Sequence, residues 1–178
     1  MRKTSPSTRL GKGQLRDLLE GARRHLFDSI SRLTEEQMYR RVEAGRPSIA
    51  EVLAHLPQAE RAMRAEAEAV ARGERRPVTF PSPEQEREWA AAAERMVPPQ
   101  IVNDLVGARW RTLRFLDSLR SADLSKTGEA SGSTLTVAEI IRRISVHEDE
   151  HAGEILRLRQ RFERGKHSSG KAPGQGQE

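Results

Sequence analysis

The chain has 178 residues, 35% hydrophobic, 4% aromatic and 32% charged, with a formal net charge of +5 and no cysteine. Its length fits one domain with a proper core. Disulfides, a thiolate nucleophile and cysteine-ligated zinc are excluded, and no apolar run approaches the roughly 20 residues that span a bilayer. The excess of Ala, Arg, Glu and Leu suits amphipathic helices with solvated outer faces. It does not suit a β-sandwich, which needs alternating runs of β-branched and aromatic residues. Most arginines alternate with glutamates, as between Glu84 and Arg95, and so form a salt-bridged surface. Only Arg157, Arg159, Arg161, Arg164, Lys166 and Lys171 near the end are unbalanced, so no specific nucleic-acid partner is expected. The basic first ten residues lack the apolar stretch of a signal peptide, and the lack of cysteine fits a cytoplasmic address.

Met1 to about Gly13 and Gly165 to Glu178 are rich in Ser, Gly, Lys, Gln and Pro and are expected to be disordered tails. A first helix is predicted from about Gln14 to Leu33, with Leu15, Leu18, Leu19, Ala22, Leu26, Ile30 and Leu33 on one face. Thr34 and Gln37 form a capping box for a short helical piece through Arg41, and Gly45 to Pro47 break the chain. Ser48 and Glu51 cap a second long helix that ends at Gly73. Ile49, Val52, Leu53, Leu56, Ala59, Met63 and Val70 trace its buried face, and Pro57 inside it predicts a kink.

A long connection follows, from Pro77 to Pro83, then a charged, Ala-rich helix from Pro83 to about Met96 with Trp89 as its apolar anchor. After Pro98 and Pro99 a third long helix spans about Gln100 to Leu119, with Val102, Leu105, Val106, Leu113 and Leu116 inward. A loop from Ser121 to Ser133 leads to the capping box of Thr136 and Glu139, which starts a last helix ending near Arg164. The expected fold is all-α: a four-helix bundle with a long crossover connection and an extra short helix. The bundle is expected over residues 14–164.

The last helix carries the most informative pattern. Its stripe of Val137, Ile140, Ile141, Ile144, Ile155, Leu158 and Phe162 is interrupted by His147 and His151. Residues four apart sit about 40° apart around the axis and roughly 6 Å along it, so both imidazoles leave one face. Unpartnered, each would cost roughly 1–3 kcal/mol on burial. A divalent metal ion with a third ligand from elsewhere accounts for the pair; solvent-filled bundle ends and hydrogen-bonded histidines are the alternative. The stretch from His147 to His151 also matches the zinc-protease pattern His-Glu-x-x-His. The extended form of that motif is absent, because Glu154 and Arg157 stand where it needs Gly and His. Glu148 and Glu150 point about 100° away from their neighbouring histidines and are expected to be solvated.

Among the other three histidines, His167 falls in the tail and His25 lies beside Leu26. His55, one turn after Val52 at the flank of the second long helix, is the better third ligand. Three imidazoles leave an ion with open positions, the arrangement of a catalytic site. Glu154, on the face of the pair, can orient an imidazole, complete the ligand set, act as base, or be a plain surface carboxylate.

Ser48 to Leu56 (SIAEVLAHL), followed by Ala59 and Glu60, resembles the second helix of the DinB/YfiT-like superfamily. Leu135 to Ile141 (LTVAEII), continuing through His147 and His151 to Gly153–Leu156 (GEIL), resembles that family's final, metal-binding helix. The resemblance spans about Leu15 to Phe162. It implies a bundle in which His55, His147 and His151 hold one divalent ion, often nickel or zinc. Some relatives are S-transferases that use bacillithiol, mycothiol or a similar low-molecular-weight thiol, one branch isomerises maleylpyruvate, and many have no assigned activity. Pro57 departs from the family's commoner sequence after the histidine.

The first expectation is therefore a metal-dependent thiol S-transferase acting on a small electrophilic molecule. Its thiol cofactor would come from outside, with Glu154 beside the site and Arg143, one turn before His147, holding a cofactor carboxylate. The alternatives are a non-catalytic metal-binding or stress-response bundle, and a metal-free interaction module. A homodimer is expected because few aromatics leave a thin core.

Overall fold

The computed structural model describes residues 10–169. Helix α1 (Lys12–Ile30) is followed by the single-turn helix α2 (Glu35–Tyr39), the long α3 (Ile49–Arg72) and the short α4 (Pro83–Ala91), which runs into a 3-10 turn, Ala92–Arg95. Next come α5 (Pro98–Ser118), a 3-10 turn at Asp123–Ser125, strands β1 (Thr127–Ala130) and β2 (Ser133–Thr136), and α6 (Val137–Ser169). The expected capping boxes of α2 and α3 form: Thr34 Oγ1 accepts from Gln37 N, and Ser48 Oγ accepts from Glu51 N. Gly73 ends α3 in the left-handed region, at φ 79°. Pro57 stands inside α3 without ending it.

The contacts set the helix directions. His25 lies against Asp149 and Arg159 donates to the Ser29 carbonyl, so α1 and α6 run parallel. His55 faces His151, while Met63 and His147 line one small cavity, so α3 and α6 are antiparallel. Lys12 Nζ reaches the Asp117 carbonyl and Arg23 the Leu105 carbonyl, so α1 and α5 are antiparallel too. Helices α3 and α5 are thus parallel, and the chain must travel the length of the bundle between them. The crossover is that return path, and it carries α4 along α3.

Several expectations need correction. The segment expected as a loop folds into an antiparallel hairpin with Ala130 opposite Ser133. Its two turn residues, Ser131 and Gly132, have φ of 34° and 82°, as a type I′ turn requires. The hairpin holds down the start of the crossover: Val78 N donates to the Glu129 carbonyl, and a Cβ on Gly128 would lie 2.6 Å from Val70 and 2.8 Å from Val78. Helix α1 starts at Lys12, inside the expected tail, and α6 continues to Ser169; the remainder of both expected tails lies outside the described residues. Leu18 and Val106, expected inward, are exposed. No helix among the described residues is long and apolar enough to cross a membrane.

The core is two apolar clusters with a charged layer between them. One contains Leu15, Leu19, Met63, Leu116, Ile140 and Ile144; the other contains Leu26, Leu53, Ile101, Leu105, Ile155 and Phe162. At the level between them each long helix contributes one buried charge: Arg23, Glu60, Arg109 and Glu148. Arg23 binds Glu148 at 2.6 Å and Glu60 at 3.0 Å, while Arg109 binds Glu148 at 2.7 Å and Glu60 at 2.9 Å. Arg23 also donates to the Leu105 carbonyl and Arg109 to the Leu19 carbonyl. Glu148, expected in solvent, is 3% exposed. Helix α6 packs on both α1 and α3, so its buried face is wider than the histidine stripe.

Removing one member of this ring strands the charges it neutralised, a loss of about 3–5 kcal/mol for a buried pair. Arg109→Met, similar in volume, should lower unfolding stability by that order in urea titrations of the metal-free protein.

Candidate metal centre

Helices α3 and α6 bring His55, His147 and His151 to one point on their seam. Their ligating nitrogens lie within 4.8 Å of one another, and no other such group of three occurs among the described residues. The ring centroids are 4.5, 4.7 and 5.5 Å apart, with edge-on contacts throughout. His55 is 5% exposed, at the centre of the α3–α6 contact and not at its flank. The His147 and His151 side chains are about one-fifth exposed, at 19% and 21%.

The hydrogen bonds around the rings determine where their lone pairs point. His151 Nδ1 donates to Glu154 Oε2 at 2.9 Å, and His55 Nδ1 faces the Glu51 carbonyl at 3.4 Å. With Nδ1 protonated in both rings, each Nε2 is a bare acceptor. These two acceptors face each other at 3.2 Å. His147 Nε2 is buried, without a hydrogen bond, although Glu86 Oε1 lies 3.3 Å away. Facing lone pairs and an orphaned imidazole nitrogen together call for a cation. Two nitrogens on one tetrahedral zinc at ~2.0–2.1 Å would stand about 3.3 Å apart. The donor set therefore fits a divalent first-row ion.

Burial, with the neighbouring His151 adding to it, pushes the His55 pKa down to about 4. Burial likewise takes His147 down to about 3. Both are thus neutral near pH 7, the state that ligation requires. The hydrogen bond from His151 holds the Glu154 carboxyl below its ordinary value, whereas burial raises Glu86.

Two clefts reach the cluster. The larger, about 720 Å³, lies between α4 and the segment after α2; His55, His151, Glu154, Arg41, Arg46 and Arg87 line it. The smaller, about 400 Å³, has His147, Arg143, Phe80 and Val146 in its wall. Glu86, from the crossover helix α4, is the one residue common to both. Sequence reasoning missed Glu86, because it lies in a charged helix with no apolar stripe to orient it. Arg143 does enter the cleft beside His147, with its guanidinium 4.3 Å from the Phe80 ring centre. The protease pattern fails on geometry: Glu148, which would be its base, spends both oxygens on Arg23 and Arg109.

A helix bundle with two parallel central helices, a long crossover and three imidazoles on the α3–α6 seam defines the class. The model of the DinB superfamily matches residues 18–155, and the chain belongs to that superfamily. Among curated proteins none matches. Of solved structures, the chain is similar to YfiT from Bacillus subtilis, described as a probable metal-dependent hydrolase with an unusual four-helix bundle topology. The two are 17% identical with a TM-score of 0.72, over 91% of this chain and 93% of that one.

The depressed histidine values carry a pH dependence for the metal-free protein. An unfolded histidine takes up its proton near 6.5, whereas His55 and His147 in the folded chain resist until about 4 and 3. The unfolded state therefore binds more protons below 6.5, and stability falls as pH falls. Urea midpoints should decline from pH 6.5 towards about 5, before carboxylates titrate. A His55→Gln/His147→Gln double variant should lose most of that slope.

Proposed function

We propose that this protein is a metal-dependent enzyme in which His55, His147 and His151 hold one divalent ion, nickel or zinc, and that it transfers an external thiol to a small electrophilic molecule. The reading is carried by the convergence of two acceptor Nε2 atoms, with a third imidazole nitrogen left unpartnered, at the meeting of two clefts. A divalent ion at that point supplies a Lewis acid that lowers the pKa of a bound thiol.

The chain's own residues do the rest. Glu154 acts through His151: by accepting the hydrogen bond of its Nδ1–H it fixes the tautomer and the ring plane, as carboxylates behind metal-bound imidazoles do. Glu86 stands 3.3 Å from His147 Nε2 and lines both clefts. Arg143 holds a carboxylate of a bound molecule in the cleft that His147 shares. The thiol comes from outside because the chain has no cysteine.

Hydrolysis is the second reading. It is favoured by the description of YfiT and by the carboxylates of Glu86 and Glu154 in the larger cleft. In it, water takes the thiol's place.

Elemental analysis of the tag-free protein should find about one equivalent of nickel or zinc per chain, given one three-imidazole site. His151→Ala should lose it. Metal affinity should fall as the pH approaches the values of about 4 and 3 at which His55 and His147 take up protons, because the ligands must be neutral. In cobalt-substituted protein, mercaptoethanol should add a thiolate-to-metal absorption band. A site that takes metal but shows no such band would be non-catalytic or hydrolytic, and ester turnover would separate those two.

A further inference from the structure

We infer that the centre accommodates two molecules at once, one through each cleft, and that the Phe80 cleft takes an apolar, flat molecule bearing a carboxylate. The inference rests on the proposed metal-dependent transfer and assigns its second substrate. The two cavities share only Glu86, so a molecule in one need not displace a molecule in the other. They reach different imidazoles: His55 and His151 from the larger, His147 from the smaller.

The smaller cleft has an apolar body formed by Met63, Phe80, Pro81, Leu135 and Val146. Val146 is left 38% exposed there, on a helix whose neighbouring apolar residues Ile141 and Ile144 are buried. An apolar guest of the cleft accounts for that exposure. Arg142 and Arg143 stand at its edge, and neither forms an ion pair among the described residues. The Arg143 guanidinium lies on the Phe80 face, which fixes the fork with its donors free.

Three carboxylates also line the cleft, and each is otherwise placed. Glu139 accepts from Thr136 in the helix cap, Glu86 faces His147, and Glu150 is exposed to solvent. A planar apolar body along Phe80 can therefore set its carboxylate on Arg143, whose donors none of these carboxylates takes. A volume of about 400 Å³ admits two fused aromatic rings.

Naphthoate is the probe. Titrated into metal-free and zinc-loaded protein and followed by heteronuclear NMR, it should bind saturably and shift the Val146 methyls and the Phe80 ring. Acetate, with the charge alone, and naphthamide, with the body alone, should each bind at least about tenfold more weakly. Arg143→Gln should lose about the same factor while keeping the wild-type circular dichroism. In cobalt-substituted protein, the mercaptoethanol band should persist at saturating naphthoate, with its half-saturation within about twofold.

Absence of saturable binding in both metal-free and zinc-loaded protein overturns the subsite, as does equal binding to Arg143→Gln. Loss of the thiol band as naphthoate saturates overturns simultaneous occupancy. The titration of metal-free protein tests the cleft even if elemental analysis finds no metal, so the two readings fail separately.

Discussion

Four charges, one from each long helix, lock the bundle at a single level. Each guanidinium binds both carboxylates and each carboxylate binds both guanidiniums, so no member can rotate without breaking two bonds. Such a ring adds little net stability over a well-packed apolar layer, because four desolvation costs offset its Coulomb gain. Its effect is on register. Apolar side chains above and below tolerate sliding and repacking, whereas this layer has one solution. With Glu148 fixed toward α1 and α5, the adjacent His147 is rotated by about 100° onto α3. With Glu60 fixed on α3, His55 lies about 1.4 turns away along the same helix and faces α6 beside His151. The histidine cluster is placed by the ring beneath it.

That placement imposes a cost which the cluster itself reveals. Buried imidazoles normally satisfy both nitrogens, one as donor and one as acceptor. Here the donors of His55 and His151 are directed outward, to the Glu51 carbonyl and the Glu154 carboxylate, and their acceptors are directed at each other. A bundle selected only for stability would separate these groups or fill the space with leucine. The same logic applies to Glu154, whose bond to Nδ1 leaves Nε2 as the free nitrogen of His151. Polar groups held in an arrangement that is unsatisfactory without a cation are a stronger sign of a site than histidine spacing alone.

Much of this was legible in the sequence, for reasons that also explain what was not. The long amphipathic helices and their caps follow from local chemistry: Ser48 with Glu51 and Thr34 with Gln37 satisfy the first-turn donors wherever the rest of the chain goes. The pair His147 and His151 was legible because it interrupts an apolar stripe. His55 needed the family resemblance, since a single histidine beside a stripe carries little information.

The charge ring was written in the same code and went unread. Arg23 is four residues after Leu19, Glu60 four after Leu56, Arg109 four after Leu105, and Glu148 four after Ile144, each at a core position. Two acids and two bases at core positions of four helices are the sequence signal of a buried ring. The hairpin was hidden for another reason: a Ser-Gly turn flanked by four-residue strands has too little alternation to register. Glu86 was hidden because only tertiary placement of the crossover orients it.

The topology then decides how the site can be reached. Parallel α3 and α5 force a crossover, and the hairpin secures its first residues through the Val78–Glu129 bond and the close approach of Gly128. Anchored there, the crossover lays α4 along α3 and brings Glu86 to the histidine seam. A bundle with short loops would have left that seam as one open groove. The crossover instead divides it, with one opening on the His55 and His151 side and another on the His147 side, each edged by arginines. Approach from two directions to one set of imidazoles is thus a consequence of the topology: parallel neighbours can be joined only by a long path, and here that path runs over the site.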